Sequence, residues 1–263
     1  MNAIQIDDPD DERVEPYRSI RERDLVGRGG RFIAEGKVVL QILLRSEDYL
    51  PESVLLLRRR LPAMADLLAT RPGIPVYVAE DAVMESIAGF HVHRGILALG
   101  RRRDVSTPVS LLHDLPDRAL VVVCVGISNH DNIGSIFRNA AAFGCGAVLL
   151  DATCCDPLYR KSLRVSVGGV LKVPFARFAD LAEARGKLAA ADFREFALSP
   201  RGGTDISRIP PGGRTAIYLG SEGAGLPHEI MRGIPTVRIP ISSDFDSLNV
   251  AAASAIALHR LTG

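Results

Sequence analysis

The 263-residue sequence predicts an α/β protein of two domains, the second built on a mostly parallel sheet. Three observations carry this. From Ala119 onward, strand-length apolar runs ("ALVVVCV", "AVLLD", "AIYLG", "TVRIPI") alternate with helical stretches, the pattern of a sheet covered on both faces. Residues 32–103 repeat that alternation on a shorter scale. Between them "DVSTPVSLLHDLPDR", 104–118, carries two prolines and mixed polarity and reads as a linker. No internal repeat or low-complexity tract interrupts the order.

Residues 1–31, rich in Arg, Asp and Glu and containing "GRGG", read as an N-terminal tail. In 32–103, "KVVLQILLRS" and "SVLLLRRR" are apolar segments, "LPAMADLLATR" is helical, and "IPVYVAE" and "GILALG" are short strands. A second helix, "DAVMESIAGF", lies between those strands. In 119–263, strand "ALVVVCV" leads into "NHDNIGSIFRNAAAFG". There Ile133, Ile136, Phe137, Ala140 and Ala141 form one helical stripe, ended by Gly144 where a left-handed cap is cheap. Arg138 lies outside the stripe, one and a half turns in, placed to reach back over the helix start. The final helix is expected from about Asp246 to Leu261, capped by Asp246 or Ser247.

Composition excludes several classes. The chain is 47% hydrophobic and 24% charged, which suits a globular protein rather than a disordered one. Its apolar runs are far short of a membrane span, and the acidic N-terminus is no secretory signal. Four cysteines without CxxC spacing fit reduced thiols and a cytoplasmic setting; the adjacent Cys154 and Cys155 are more simply free thiols than a chelate or strained disulfide. Six histidines also lack ligand spacing, so no metal is expected. The net charge of +1 does not mark a nucleic-acid binder. Base charge is nevertheless concentrated in "YRSIRERDLVGRGGR", in "RRR" at 58–60 and 101–103, and in "YRKSLR" at 159–164. Each is either a phosphate contact or a solvated face. With no tryptophan, no stacking platform is visible.

Three stretches carry chemistry. In "NHDNIGSIFRNAAAFG", Asn129, Asn132 and Arg138 sit at a strand-to-helix junction, where open α/β sheets bind ligands. "YLGSEGAGLPHEI", 218–230, is a glycine-rich turn after a strand. Its G-x-x-G-x-G spacing departs from the dinucleotide pattern, and Glu222 would repel a pyrophosphate on those amides. A loop of small residues with a carboxylate suits S-adenosylmethionine, which has adenine and ribose but no phosphate; an ordinary tight turn is the plainer alternative. In "VRIPISSDFDSLNVAAASAIALHR", 237–260, Ser247, Leu248 and Asn249 crowd the entrance of an alanine-rich helix, where free N–H groups can meet a ligand.

"NIGSIFRNAAAFG", "LGSEGAGL" and "IPISSDFDSLNVAAASAIAL" together closely resemble the three motifs of the SpoU family of RNA 2′-O-ribose methyltransferases, in the SPOUT superfamily. The resemblance covers all of 119–263, and "RKSLRVSVGGVLKVP" is similar to the segment between the first two motifs. "RFIAEGKVVLQILL" and "FHVHRGILALGRR" resemble the family's small RNA substrate-binding domain. The resemblance implies a trefoil-knotted C-terminal domain, a homodimer built through it, and S-adenosylmethionine bound bent in the knot. It makes Arg138 the principal catalytic residue, with Asn132, Glu222, Ser247 and Asn249 at the reacting centre. Cofactor contacts fall to Leu219, Gly220, Gly223, Leu226, Ile239, Ile241, Ser247, Leu248 and Asn249. Plainer readings stand beside these: a surface ion pair for Arg138, a helix N-cap for Asn132, an exposed loop carboxylate for Glu222 and a capping residue for Asn249.

Where many members carry proline before the motif-one asparagine, this chain reads "SNHDN"; His130 is there a candidate RNA contact or a solvated loop histidine. The separate first domain leans toward ribosomal RNA, with transfer RNA the alternative target. A knotted RNA-binding protein without activity and a nucleotide-dependent oxidoreductase are the other readings. Retention of Arg138, Glu222, Ser247 and Asn249 disfavours the former. The glycine spacing and Glu222 disfavour the latter.

Overall fold

The computed structural model describes residues 3–262 apart from 19, 21–24 and 26–28. The chain forms two compact units, one of residues 1–104 with 158–172 and the other of 105–157 with 173–263. The first unit holds strands β1 (Ala3–Gln5), β2 (Arg31–Glu35), β3 (Tyr49–Leu57), β4 (Val76–Ala79) and β5 (Ile96–Arg102) in the order β1-β4-β3-β5-β2. β1, β4 and β3 run parallel; β5 and β2 are antiparallel to their neighbours. Helices α1 (Lys37–Arg45), α2 (Leu61–Ala69) and α3 (Asp81–Ala88) join these strands.

Residues 3–18 are not the tail their charge predicts. β1 extends the sheet beside β4, and a 3-10 turn at Glu12–Tyr17 buries Val14 and Tyr17 completely. The cause lies in β3, whose register breaks between Pro51 and Ser53, where proline cannot donate to the ladder. The Tyr17 hydroxyl fills the gap, 2.8 Å from Ser53 Oγ and accepting the Leu99 N–H at 3.1 Å. Burial pushes that phenol well above its ordinary pKa. Farther along the expected tail, Ile20 and Leu25 pack against the same core and Arg31 opens β2; Arg21, Arg23 and Arg28 of its basic cluster lie outside the described residues.

The domain boundary at 119 also needs correction. Residues 158–172 fold into the first unit, where helix α6 (Arg160–Val165) meets Glu35. Glu35 is 2% exposed, and it accepts from Arg160 Nη1 at 2.5 Å and faces Arg164 Nη1 at 3.5 Å. The Arg160 guanidinium also stacks over the Phe90 ring at 4.2 Å. A buried carboxylate is stable only when paired, so Glu35 draws in a segment that sequence order assigns elsewhere. The basic clusters are largely engaged in ion pairs nearer the surface. Arg58 pairs with Glu80, Arg59 with Asp81, and Arg31 and Arg101 share Glu52. Arg60 and Arg103 are exposed with no side-chain partner among the described residues.

In the second unit the seven strands β6 (Ala119–Val125), β7 (Ala147–Leu150), β8 (Phe175–Arg177), β9 (Arg194–Leu198), β10 (Thr204–Asp205), β11 (Arg214–Gly220) and β12 (Thr236–Arg238) order as β10-β12-β9-β11-β6-β7-β8. Every pairing is parallel. Helices are α4 (Pro108–His113), α5 (His130–Ala142), α7 (Leu181–Ala190), α8 (His228–Gly233) and α9 (Val250–Thr262). On one face, Val121, Val123, Ala216 and Tyr218 pack with Leu112 of α4, Leu188 of α7 and Ile230 of α8. The other face carries α5 and α9. Phe137 meets the Phe175 ring edge-on at 5.5 Å, and Asn139 Nδ2 donates to Ala251 O and Ser254 Oγ, both at 2.8 Å. Covered on both faces, β6 is apolar at every position, as a parallel strand must be.

Two local expectations change here. The linker contains α4, capped by a reciprocal Thr107–Ser110 box and buried through Leu112, so the second unit begins at 105. The last helix starts at Val250 rather than Asp246. Its cap is Asn249, whose Oδ1 accepts the Ala251 N–H at 2.8 Å and the Ala252 N–H at 3.3 Å.

Candidate active site

The strand order reverses direction between β6 and β11, the switch point at which the loops beyond the strand ends diverge and leave a crevice. Residues 126–129 leave β6 there, 221–227 leave β11, 199–203 leave β9 and 239–249 leave β12. All three sequence motifs therefore converge on the carboxyl edge of the sheet, after β6, β11 and β12. Asp151, at the end of β7, fixes the first of these loops. Its carboxylate accepts the N–H groups of Gly126 at 3.0 Å, Thr153 at 3.1 Å and Cys154 at 2.8 Å, and the Thr153 hydroxyl at 2.8 Å.

One side chain joins the motifs. Asn249 Nδ2 donates to Asn132 Oδ1 at 3.0 Å and to Glu222 Oε1 at 2.6 Å, while its Oδ1 caps α9. Asn132 is 7% exposed, so its amide oxygen depends on that bond. It does not cap α5; Asn129 does, accepting from Asp131 N at 2.8 Å and Asn132 N at 3.3 Å. Arg138 projects from the exposed side of α5 and makes no hydrogen bond or ion pair among the described residues. It is six residues from Asn132, about a third of a turn off that residue's face. The structure thus brings Asn132, Glu222 and Asn249 together but gives Arg138 no contact with them, and gives it no ion-pair partner either.

Beside this chain of amides lies a cavity of about 600 Å³, within the range of small-molecule sites. Leu219, Gly220, Gly223, Leu226, Ile239, Ile241, Ser247, Leu248 and Asn249 all line it, as does Glu222. The glycine loop is folded on itself. A Cβ at Gly220 would fall 2.4 Å from the Gly225 carbonyl carbon and 2.5 Å from Leu226 N, so no larger residue fits. At Gly223 a Cβ meets nothing within 4 Å: the space beside it is open. Sequence reasoning missed the opposite wall, Leu198 to Arg201, which also lines the cavity. The signal was "REFALSPRGG", a short strand running into proline, arginine and paired glycines.

Cys124, Cys145, Cys154 and Cys155 are free thiols. Burial pushes Cys154 up to about 12 and Cys155 up to about 11, so neither is a thiolate at neutral pH. Among the described residues no group of three or more His, Cys, Asp or Glu is placed to hold a metal ion, and no helix is long and apolar enough to cross a membrane.

The chain is similar to known proteins. The model of the SpoU rRNA Methylase family matches residues 119–259. The chain is 39% identical to an uncharacterized tRNA/rRNA methyltransferase of Mycobacterium tuberculosis, over all of this chain and 92% of that protein. It is 30% identical over 197 residues to the 23S rRNA (guanosine-2′-O-)-methyltransferase RlmB of Acinetobacter baylyi, covering 73% of this chain and 79% of that one. In fold it is similar to an AdoMet-bound rRNA methyltransferase from Sinorhizobium meliloti, with a TM-score of 0.82 over 98% of this chain and 97% of that one at 23% identity.

Proposed function

The chain belongs to the SpoU rRNA methylase family, and on that premise we propose that it transfers the methyl group of S-adenosylmethionine to a ribose 2′-hydroxyl of RNA, with ribosomal RNA as the substrate. The observation that carries the reading is the Asn132–Asn249–Glu222 chain standing at the edge of the glycine-lined cavity. The 2′-O position and the ribosomal target are supported by the similarity to RlmB. The cavity fits the cofactor: a glycine loop too tight for any Cβ at Gly220, open space at Gly223, and acidic Glu222 where a phosphate would be repelled.

Bound there, the cofactor supplies an electrophilic methyl on a sulfonium whose departing thioether is neutral. The residues must then deal with a weakly acidic hydroxyl. Arg138 stays protonated in a protein, so its role is a steady cation that holds a neighbouring phosphate and stabilises the developing oxyanion, rather than a base. Its freedom from any ion pair among the described residues suits a residue kept for a ligand. Glu222, with one oxygen fixed by Asn249, presents the other to the hydroxyl proton. Asn132 and Asn249 position that carboxylate, and Ser247 and Leu248 close the cavity beside it.

The same proposal includes the trefoil knot, RNA binding by the first unit, a cytoplasmic location, and a homodimer. Exposed Ile256 of α9 and Phe245, 70% exposed in the loop before it, are the kind of apolar surface a second copy would cover. The test is to incubate the protein with ribosomal and transfer RNA and S-adenosylmethionine, then map 2′-O-methyl groups by their resistance to alkaline cleavage. A new resistant linkage in 23S rRNA is expected. Modification confined to transfer RNA would move the substrate, methyl on a base would overturn the ribose reading, and RNA binding without methylation would leave a non-catalytic knotted protein.

A further inference from the structure

Among the described residues, only three side chains lining the cavity carry formal charge: Glu222, Asp246 and Arg201. Arg201 stands on the turn after β9, which emerges between the loops of β11 and β12. Its backbone is held: its N–H donates to Ser199 Oγ at 3.3 Å, and Arg238 Nη1 donates to the next two carbonyls, Gly202 O at 2.8 Å and Gly203 O at 3.3 Å. Gly202 itself is pressed on β12, since a Cβ there would lie 2.3 Å from the Val237 carbonyl carbon. The guanidinium, by contrast, makes no hydrogen bond or ion pair among the described residues. A firmly anchored backbone therefore carries an uncommitted cation at a ligand cavity.

The charges of the lining mirror those of the proposed cofactor. S-adenosylmethionine carries two cations, sulfonium and ammonium, and one anion, its α-carboxylate. The cavity offers two acids and one base. Glu222, whose free oxygen still serves the hydroxyl, and Asp246 give the cavity the negative field that the cofactor's two cations need. The single anion is left with the single guanidinium, whose planar fork matches a carboxylate in two hydrogen bonds. Resting on the cofactor reading above, we propose that Arg201 binds the α-carboxylate of S-adenosylmethionine and sets the direction in which the amino-acid arm lies in the cavity.

The test is calorimetric titration of the full chain with S-adenosylmethionine and with 5′-methylthioadenosine, which lacks the amino-acid arm. Arg201→Gln should weaken S-adenosylmethionine about tenfold, the scale of one charged hydrogen-bonded contact, and leave methylthioadenosine unchanged. Arg201→Lys should retain part of the affinity. If Arg201→Gln weakens both ligands alike, the residue shapes the cavity and the carboxylate assignment is wrong. It is equally wrong if S-adenosylmethionine binds the variant as tightly as wild type while RNA affinity falls, which would give Arg201 to the RNA. Wild type that binds neither ligand overturns the cofactor reading, and this assignment with it.

Discussion

The side-chain amide of Asn249 spends both donors and its acceptor: one N–H on Asn132, one on Glu222, and the oxygen on the first free amides of α9. Two substitutions separate these roles. Asn249→Ala removes the cap, worth about 1 kcal/mol, and strands the buried Asn132 oxygen; both stability and methyl transfer should fall. Asn249→Asp keeps an oxygen for the cap but cannot donate to Asn132 and sets a carboxylate against Glu222, so denaturation should recover only the part of the stability that the cap supplies while methyl transfer stays low. Full activity in the aspartate variant would sink the positioning role. Arg138→Ala touches none of the buried stripe of α5 and should fold and bind S-adenosylmethionine normally, with methyl transfer down by two or more orders of magnitude. Partial rescue by Arg138→Lys would favour a plain charge; none would favour the planar fork. A normal rate in the alanine variant would return Arg138 to the solvated surface. The thiols make a separate case. Burial raises Cys145 and Cys154 from an ordinary 9.0 to about 12, so the neutral form is the folded one. The stability they lend is whole below pH 9 and is lost as pH climbs toward 12. Iodoacetamide at pH 8 should spare both in native protein and label both in denaturant, as read by mass spectrometry; labelling of the native protein at the denatured rate would contradict the burial.

Elements differ in how far they announce themselves. The glycine loop after β11 can be tested at two of its positions. Gly220→Ala forces a Cβ onto the Gly225 backbone and should unfold or aggregate the protein. Gly223→Val projects into open space and should fold with an unchanged melting temperature while cofactor affinity collapses in a binding titration. Unchanged affinity in the valine variant would remove that cavity from the mechanism. β6, β11, α5 and the glycine loop were legible because each satisfies a local rule: an unbroken apolar run, a 3.6-residue stripe, a turn only glycine can make. β8 and β9 were not, since Phe175–Arg177 is too short for a pattern and "REFAL" is half polar. In "DFDSLN" four residues can cap a helix. The choice of Asn249 over Asp246 or Ser247 depends on its reach to Asn132 and Glu222, 117 and 27 residues away in sequence. Local chemistry offers the candidates, and long-range geometry picks one. Asp151 and Asn139 were invisible for the same reason: each reaches a distant backbone group, Gly126 N–H and Ala251 O.

For the whole molecule, the division of the chain into discontinuous units was hidden. The segment 158–172 joins the first unit through a buried charge as well as through Leu158, Leu163, Val170 and Leu171, and neither signal says from sequence which sheet it joins. Glu35 has 3% of its side chain exposed and two arginines from residues 158–172 to balance it. Glu35→Gln should cost about 3 kcal/mol, the low end for breaking a buried pair, because Arg160 and Arg164, 19% and 36% exposed, can turn to water. Chemical denaturation that shows no loss would mean the pair is incidental. The discontinuity also sets a schedule for synthesis. When Asp104 leaves the ribosome, every strand of the first sheet has been made, yet the cations that balance Glu35 have not. Translation proceeds at about 5–20 residues per second, so the nascent chain waits several seconds, through the making of β6, α5 and β7, before Lys172 arrives and the earlier unit can be completed. What is first in the gene is thus finished second-hand, by a strip of chain borrowed from the middle of its successor.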